Sequence, residues 1–399
     1  MQNTTVLVSG AGIVGTATAY WLHRHDFSVT VVERAPELRT GGYKIDVRGA
    51  AVDVVDRMGI LAEVRRAGTD MRGASFVNSA GKRVATMDAE LFGGRSGGDV
   101  ESMRGDLNRI LFDRTEGDVE YLFDDSITSV TDGADGVRVR FERSPARTFD
   151  LVVGADGLHS TTRALVFGEQ SRLIHDLGHH VAIFSVPNHL DLDGWELTYP
   201  RPGRTAMMYG TRHDMDATAM FLFASPPLDY DRHDPAQQQK LLADAFAGEG
   251  WEVPRLLGSM ATAPDFYFDS LSQIRMDHWS TGRAVLVGDA AYGASPASGQ
   301  GTSLALVGAY VLAGELSAAS GDHRTAFHRY QHEMRAFVVQ NQELAPNNLK
   351  GMVMQKRWHI ALQLQAMRIL PHLPGSRRIV ERVTNAIHAA AAAITLRSY

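Results

Sequence analysis

A glycine-rich turn near the start of the sequence most strongly limits what this chain can fold into. Residues 5–9 form an apolar run, residues 10–15 read Gly-Ala-Gly-Ile-Val-Gly, and a helical pattern continues through Trp21. A strand, a glycine turn and a helix in this order can bind the pyrophosphate of a dinucleotide at the helix N-terminus. Gly10 permits the tight turn, Gly12 lets the backbone approach the pyrophosphate, and Gly15 lets helix and strand pack closely. The motif predicts a site for FAD or NAD and does not choose between them.

An acidic residue follows the glycine turn at a suitable distance. A second apolar run, residues 28–32, ends at Glu33, 18 residues after Gly15. A carboxylate there accepts hydrogen bonds from the hydroxyls of an adenosine ribose and repels a 2′-phosphate. The charged segment 34–48 contains two adjacent glycines and is predicted to be a loop. It is either a solvated connection or a loop over the cofactor that meets an anionic partner.

The composition excludes several classes of function. A net charge of −6 provides no field that would gather nucleic acid or an anionic membrane surface. The chain has no cysteine, so disulfides, thiolate metal sites and a covalent cysteinyl flavin are excluded, and a flavin would bind non-covalently. The first strand begins too close to Met1 for a signal peptide, and the apolar run 389–394 is far shorter than the ~20 residues of a membrane span. We therefore expect a cytoplasmic protein with no integral membrane association.

Two kinds of pattern alternate along the rest of the chain. The strand and helix signals of the cofactor region return at residues 283–287. Before them, residues 172–276 contain alternating polar and apolar segments, which predict an antiparallel sheet with helices on one side. A hairpin at residues 74–87 and a glycine-rich linker at 91–98 precede a helix expected to begin at Ser102.

These signals predict an α/β fold, in which a Rossmann-like FAD-binding or NAD-binding domain is interleaved with a β-sheet substrate domain and followed by C-terminal helices. The interleaving follows because the cofactor pattern resumes after the substrate sheet. The predicted cofactor domain comprises residues 1–72, 98–171 and 277–340, the substrate domain 73–97 and 172–276, and the C-terminal helical segment 341–399.

Three signatures in a fixed order carry a family resemblance: the glycine turn, Asp156-Gly157 after a buried strand, and Gly288-Asp289-Ala290-Ala291 followed by Pro296 and Gly299-Gln300-Gly301. By these signatures the chain resembles the FAD-dependent aromatic hydroxylases typified by para-hydroxybenzoate hydroxylase, the class A monooxygenases. It looks most like the tetracycline-inactivating and polyketide-modifying members. The similarity covers about residues 4–340. The family usually has a histidine where this chain has Tyr292.

The resemblance implies a role for each matching residue. The turn glycines hold the FAD pyrophosphate, Glu33 the adenosine ribose, and Arg104 and Asp289 the ribityl region. Asp156, with Gly157 and Arg163, supports FAD and a passing NADPH, and Arg39 is the candidate pyridine-nucleotide contact. The implied FAD-binding set is Gly10, Gly12, Gly15, Glu33, Arg34, Asp46, Arg104, Asp156, Asp289, Pro296, Gly299 and Gly301.

The resemblance also implies the chemistry. NADPH or NADH reduces FAD, and O2 supplies the oxygen that hydroxylates an aromatic or polycyclic polyketide substrate through a flavin C4a-hydroperoxide. The helix N-terminus at residues 299–301 stabilises negative charge on the reduced flavin, and the pocket must exclude water. No protein nucleophile is required, because the flavin carries the chemistry. Tyr209, Arg212 and His213 are candidates for a substrate-side base.

Other functions are compatible with parts of the sequence. A flavin-binding protein could sequester a ligand without turnover. A flavin halogenase is disfavoured because the halogenase-type Trp-x-Trp-x-Ile-Pro segment is absent. Histidines cluster at 175–180 and at His328 and His332, but neither cluster has the carboxylate–histidine pattern of a catalytic metal centre, so we expect no metal.

Overall fold

The computed structural model describes residues 4–39, 41–89, 95, 98–168, 172–212, 214–370 and 376–399. Most of the predicted linker 91–98 and the candidate base His213 therefore lie outside the described residues. The strands are β1 (Thr5–Ser9), β2 (Ser28–Glu33), β3 (Lys44–Val47), β4 (Gly73–Val77), β5 (Arg83–Asp88), β6 (Val100–Met103), β7 (Glu120–Phe123), β8 (Ile127–Gly133), β9 (Gly136–Phe141), β10 (Arg147–Phe149), β11 (Leu151–Gly154), β12 (Ile174–Pro187), β13 (Trp195–Arg201), β14 (Arg204–Gly210), β15 (Asp216–Ala224), β16 (Tyr267–Ile274), β17 (Ser280–Thr281) and β18 (Ala284–Leu286).

The helices complete a mixed α/β architecture, and the predicted fold class is confirmed. Short 3-10 turns cover Met260–Thr262 and Pro296–Ser298. The α-helices are α1 (Ile13–Arg24), α2 (Ala50–Arg57), α3 (Leu61–Arg66), α4 (Arg104–Asp113), α5 (Thr161–Phe167), α6 (Pro235–Ala245), α7 (Val253–Ser259), α8 (Asp289–Tyr292), α9 (Gly301–Ala318), α10 (His323–Met352), α11 (Arg357–Ile369) and α12 (Ser376–Ala391).

A six-stranded sheet organises the first layer, in the order β17-β18-β11-β1-β2-β7. Its neighbours run parallel except for the β17–β18 pair. β1 lies inside the sheet with both faces covered, which explains its continuous apolar run. Val6 and Val8 face the cluster that contains α1 and α9, whereas Leu7 faces the three-stranded sheet β10-β9-β8.

The second layer is a seven-stranded sheet in the order β16-β12-β15-β14-β13-β4-β5. The antiparallel sheet predicted for residues 172–276 is confirmed, because all the strand pairs within β12–β16 are antiparallel. The early hairpin extends this sheet, with β4 running parallel to β13. β4 belongs to the early hairpin, and more than a hundred residues separate it from β13 in the chain. A connection of this length allows the two strands to run parallel. One face of the sheet packs against α6 and α7, and the other faces residues 296–298 and α10.

Two local predictions are corrected by a small two-stranded sheet. The segment predicted as a loop contains β3, which pairs antiparallel with β6 from Lys44–Met103 to Val47–Val100. Because this pairing includes Ser102, that residue lies in a strand and is not a helix cap. Its hydroxyl donates a hydrogen bond to Ala67 O, and α4 begins at Arg104.

The C-terminal helices cover the molecule on its cofactor and substrate sides. α10 contacts α9, α11 contacts β5 and β13, and α12 contacts α10. α9 is the one helix in the described ranges that is long and apolar enough to cross a membrane, but 78% of it is buried inside the protein. It packs against α1 in the way a core helix does. The residue ranges of the individual domains stay predictions.

Candidate functional site

The glycine turn has no room for side chains at two of its three glycines. Gly10 has a φ of +103°, and a Cβ atom there would lie 2.8 Å from Ala155 O. A Cβ at Gly15 would lie 1.8 Å from Gly10 O. These positions require glycine because β1, α1 and the end of β11 approach one another so closely.

Gly12 is different, because space remains beside it. It is the N-cap residue of α1 and is partly accessible to water; the nearest atom to a Cβ there would be Arg104 Nη2 at 3.6 Å. The first N–H groups of α1 have no acceptor inside the helix and carry the positive end of its dipole. An anionic group fits this position.

Glu33 lies at the same edge of the sheet. Its Oε2 accepts a hydrogen bond from Ala11 N at 2.8 Å, and its Oε1 accepts one from Ala35 N at 2.9 Å. The carboxylate is thus fixed beside the glycine turn, at the end of β2. Arg34, the next residue, is exposed.

Asn108, which no sequence motif marks, fixes the turn from the other side. Its Nδ2 donates to Ala11 O at 3.0 Å, and its Oδ1 accepts from Thr16 Oγ1 at 3.1 Å. Asn108 lies one helical turn after Arg104 on α4, so the two residues share a face. The four-residue spacing from Arg104 was the one sequence signal for Asn108. Because Asn108 holds α4 against the glycine turn, Arg104 on the same helix face lies beside Gly12.

Arg104 also links the glycine turn to the Gly-Asp-Ala-Ala element. Its backbone N–H donates to Tyr43 O at 3.0 Å, and its guanidinium interacts electrostatically with Asp289. Burial raises the pKa of the Asp289 carboxyl, and Arg104 opposes the shift. Asp289 is nevertheless water-accessible. A side chain that is both surrounded by protein and accessible to water lines a deep cleft.

The segment from Asp289 to Gly301 also lines this cleft, because accessible residues in it stand next to buried ones. Asp289, Pro296 and Gly299 are accessible and Gly301 is half-buried, while their neighbours Ala290, Ala291, Ala297, Ser298 and Gln300 are buried. Gly299 adopts a left-handed conformation with φ +67°, after which α9 begins at Gly301. The N-terminus of α9 therefore opens onto the cleft, where its N–H groups can meet negative charge.

Asp156 and Arg163 form hydrogen bonds that fix the backbone next to this cleft. Asp156 Oδ2 accepts hydrogen bonds from Thr162 N at 2.9 Å and Thr162 Oγ1 at 3.0 Å. Arg163 is fully buried and donates to Ala290 O at 2.8 Å and to Leu158 O at 2.6 Å. Burial lowers the pKa of Arg163 to about 10, with Asp156 opposing the shift. These hydrogen bonds connect the end of β11 to α5, and α5 to α8.

Asp46 belongs to a cluster of charged residues on β3 and β6. Its carboxylate contacts Arg48 at 2.9 Å and Arg95 at 2.8 Å, and Arg95 also pairs with Glu101. Burial acts to raise the pKa of Asp46, but the two guanidinium groups outweigh burial and hold the pKa below its usual value.

The proposed substrate-side residues occupy dissimilar positions. Tyr209 is buried, and its hydroxyl accepts a hydrogen bond from Lys44 N at 3.1 Å. Burial raises the pKa of Tyr209 to about 12, although the Lys44 ammonium opposes the shift. A base near neutral pH is not favoured by this environment. Arg212 is exposed and lies near Asp70 and Asp193, and Arg39 is exposed.

The seven-stranded sheet turns an apolar face toward the cleft. Val181, Ile183 and Leu222 are buried there and pack in one cluster with Ala297. Met207, Met220 and Tyr43 are only partly buried in this cluster, and Tyr267 at the end of β16 is 41% exposed. These accessible apolar and aromatic side chains are suited to contact a flat, largely apolar ligand.

The histidine clusters are not arranged as metal sites. His180 Nδ1 is hydrogen-bonded to Ser225 Oγ at 2.8 Å, and His179 Nδ1 to Leu177 O at 2.7 Å. No group of three or more histidine, aspartate or glutamate side chains placed to hold a metal ion occurs in the described part of the chain.

A parallel sheet with a glycine turn, an acid at the end of β2, and a second helix N-terminus at the same cleft define a dinucleotide-binding flavoprotein of the hydroxylase type. The sequence profile of the family described as FAD binding domain matches residues 3–345. The chain belongs to this family and is an FAD-dependent monooxygenase.

The chain is also similar to individual proteins and to solved structures. The chain is 42% identical over 337 residues to a flavin-dependent monooxygenase from an unknown prokaryotic organism, covering 84% of this chain and 87% of that protein. It is 50% identical over 349 residues to the uncharacterized protein Rv1260 of Mycobacterium tuberculosis, strain ATCC 25618 / H37Rv, covering 87% and 94%. The crystal structure of tetracycline destructase Tet(51) is similar with a TM-score of 0.87 at 34% identity, over 100% of both chains.

Proposed function

We propose that this enzyme uses NADPH or NADH and O2 to hydroxylate an aromatic or polycyclic polyketide, tetracycline-like compounds included. One observation carries the proposal: Met207 and Met220 stay partly accessible in the cluster that contains Ala297, and the exposed Tyr267 interacts electrostatically with Asp289. A wide apolar wall opposite a polar cofactor edge suits a fused-ring substrate that presents few polar groups. The similarity to Tet(51) over the whole chain supports the same substrate class.

The chain's own residues bind and orient the cofactor in this proposal. The N-terminus of α1 at Gly12 takes the pyrophosphate, Glu33 the adenosine ribose, and Arg104 with Asp289 the ribityl region. When bound, FAD supplies the electron transfer and oxygen chemistry.

The N-terminus of α9 and the sheet complete the site. The N–H groups that follow Gly299 stabilise negative charge at the adjacent edge of the cofactor. The sheet wall around Val181 and Ile183 keeps water away from the reacting edge, which protects the oxygenation step from loss of peroxide.

The proposal also covers the contact with the electron donor, the kind of partner and the cellular location. Arg39 is exposed beside the cofactor region, where a guanidinium could meet the phosphates of a pyridine nucleotide that binds briefly. A net charge of −6 supports small-molecule partners rather than nucleic acid. The cysteine-free composition is compatible with the cytoplasm, the location that we propose, without membrane association.

A product assay tests the proposed function. The purified protein is incubated with NADPH or NADH and a panel of tetracyclines, anthraquinones and simple phenols, while cofactor oxidation and product mass are followed. We expect substrate-stimulated oxidation and a product that gains one oxygen atom. Tight ligand binding without stimulation across the panel would contradict the proposal and favour sequestration.

Two substitutions test the cofactor geometry. Asp289→Ala should weaken FAD retention, and Gly12→Val should block the approach of the pyrophosphate. Gly258→Ala is the matched control, because a Cβ there meets nothing within 4 Å. Full flavin occupancy in both cleft variants would show that the proposed geometry is wrong.

A further inference from the structure

A short row of hydrogen bonds crosses the wall between the cleft and the outside of the protein. The hydroxyl of Tyr267 donates to Asp269 Oδ2 at 3.2 Å, and His159 Nε2 lies 2.8 Å from the same oxygen. Ser270 N donates to Asp269 Oδ1 at 2.8 Å and fixes the carboxylate. Asp269 is 6% exposed, so its carboxylate joins the two side chains with little direct contact with water.

The two ends of this row face different spaces. Tyr267 is 41% exposed and interacts electrostatically with Tyr43 and Asp289, which places it at the cleft. His159 has 30% of its side chain exposed and lines an outer cavity of about 200 Å³. That cavity is also bounded by Asp176, His180 and Tyr230. Asp269 contributes to the cavity wall as well, between the two ends.

We propose that Tyr267, Asp269 and His159 carry protons between the flavin cleft and solvent. In the inward direction, His159 binds a proton from the outer cavity and passes its Nε2 proton to Asp269 Oδ2. Tyr267 then gives its hydroxyl proton to an acceptor in the cleft and takes the proton from Oδ2. After one proton has moved, Asp269 and Tyr267 are back in their starting states, and His159 is neutral but protonated at Nδ1. It recovers its Nε2–H form by exchanging protons with water in the outer cavity. The reverse sequence exports a proton from an ionising substrate hydroxyl.

The chemistry of the three groups suits this task. Burial, with the Asp269 carboxylate adding to it, raises the pKa of Tyr267 well above its usual value, so the phenol stays protonated near neutral pH and must replace any proton it gives. Imidazole has two ring nitrogens, so His159 can take up a proton at one nitrogen and release a proton from the other. The row therefore ends in the side chain best suited to exchange with water.

Other ionisable groups near the row do not replace His159. Burial lowers the pKa of His180, although Asp176 and Asp269 oppose the shift, and its Nδ1 is bonded to Ser225. Burial raises the pKa of Tyr230 well above its usual value. Arg232 adds a positive charge to the outer cavity, and Asp289 and Tyr43 face the cleft end. Among the ionisable side chains that line the outer cavity in the described residues, His159 is the one with a hydrogen bond to the Asp269 carboxylate.

This inference rests on the proposed use of O2, because oxidation of the reduced holoenzyme by O2 consumes one proton as H2O2 leaves. The test reduces the FAD-loaded protein with dithionite, mixes it with O2, and follows flavin absorbance from pH 5.5 to 8.5. We expect His159→Ala to slow reoxidation by roughly tenfold or more. This is less than the roughly 10²–10⁴-fold typical of a lost general acid, because water in the outer cavity replaces part of the function. Imidazole added to the buffer should restore part of the rate, because it reaches the outer cavity.

The controls separate proton transfer from loss of structure. His189→Gln breaks a histidine–carboxylate contact of the same length, 2.8 Å to Glu252, away from the cleft, and should leave reoxidation unchanged. Tyr267→Phe should slow reoxidation without rescue by imidazole, because the break lies on the cleft side. A wild-type rate and pH profile in His159→Ala, or rescue of Tyr267→Phe, would overturn the proposal.

A second readout does not depend on turnover. Diethyl pyrocarbonate should modify His159 equally in FAD-loaded and FAD-free protein, as measured by peptide mass spectrometry, because the outer cavity stays open when the cleft is filled. Protection of His159 by FAD would place it on the cleft side and overturn the assignment. If the wild type oxygenates no aromatic compound, the proposed function fails, whereas the reoxidation and modification comparisons still decide the role of the row.

Discussion

The two faces of the seven-stranded sheet are built in different ways. On the face covered by α6 and α7, Phe184, Phe221 and Phe246 pack tightly, with ring centroids 5.8 Å apart for Phe184 and Phe221 and 4.8 Å apart for Phe221 and Phe246. On the opposite face, Met207 and Met220 remain partly accessible within the apolar cluster. Adjacent residues of one strand thus have opposite roles.

The difference shows how the molecule separates stability from ligand contact. The helix-covered face gains stability by burying aromatic surface. The cleft side relies more on charged contacts: Lys44 pairs with Glu196 at 2.6 Å, and Asp46 pairs with two arginines. We therefore expect the first region to respond to changes in side-chain volume and the second to changes in charge and pH.

The largest effect is expected on the helix-covered face. Phe221→Ala removes a fully buried ring and should lower the free energy of unfolding by about 3–5 kcal/mol. Chemical denaturation of the FAD-free protein measures the loss. A loss below about 1 kcal/mol would mean that this face is not the stabilising one.

The charged cluster should give a smaller effect that depends on pH. Asp46→Ala leaves Arg48 and Arg95 without this carboxylate and should lower the free energy of unfolding by about 2 kcal/mol at pH 7, the scale of a lost hydrogen bond to a charged group. Because the folded pKa of Asp46 is lowered, its contribution is present above its unfolded pKa and is lost as the pH falls through the folded pKa. Denaturation curves of wild type and variant should converge in acid, and a gap that stays constant with pH would contradict the pairing.

Asp289 should show the opposite sign in the FAD-free protein. Its folded pKa is raised, so the ionised carboxylate disfavours folding as the pH rises above the unfolded pKa. Asp289→Asn should therefore raise the melting temperature of the FAD-free protein at pH 7 and have little effect below the unfolded pKa. A lower melting temperature at pH 7 would show that the carboxylate stabilises the empty cleft.

The smallest effect on stability is expected for the neighbour of Phe221. Met220→Ala removes a partly accessible side chain and should change the free energy of unfolding by less than about 1 kcal/mol. It should instead raise KM for the aromatic substrate with FAD occupancy unchanged. Equal destabilisation by Met220→Ala and Phe221→Ala would remove the distinction between the faces.

The sequence predicted those parts of the molecule whose signals are local. The strand, turn and helix around Gly10–Gly15 follow from neighbouring residues, and they are confirmed with β1 at Thr5–Ser9 and α1 at Ile13–Arg24. β3 was missed because its strand character depends on pairing with β6, more than fifty residues later. The same pairing moved the start of α4 beyond Ser102.

In the candidate site, too, residues marked by a local motif were predicted, and residues placed only by tertiary packing were not. Asp289 and Gly299 were marked by a compact motif, and both are accessible from the cleft. Asn108 and Tyr267 carry no motif, and their positions follow from how α4 and β16 pack in three dimensions. His159 lies two residues after the Asp156-Gly157 signature, yet only the fold brings it beside Asp269.

The strand order has a consequence for how the protein is made. β11 and β18 are neighbours in the six-stranded sheet but lie about 130 residues apart in the chain, with the whole of β12–β16 between them. On the ribosome, the glycine turn emerges early and the helix at Gly301 much later. The nascent protein therefore cannot complete the cleft until about three quarters of the chain has been synthesised. We expect early cofactor capture by the growing chain to be weak and stable loading to follow the pairing of β18.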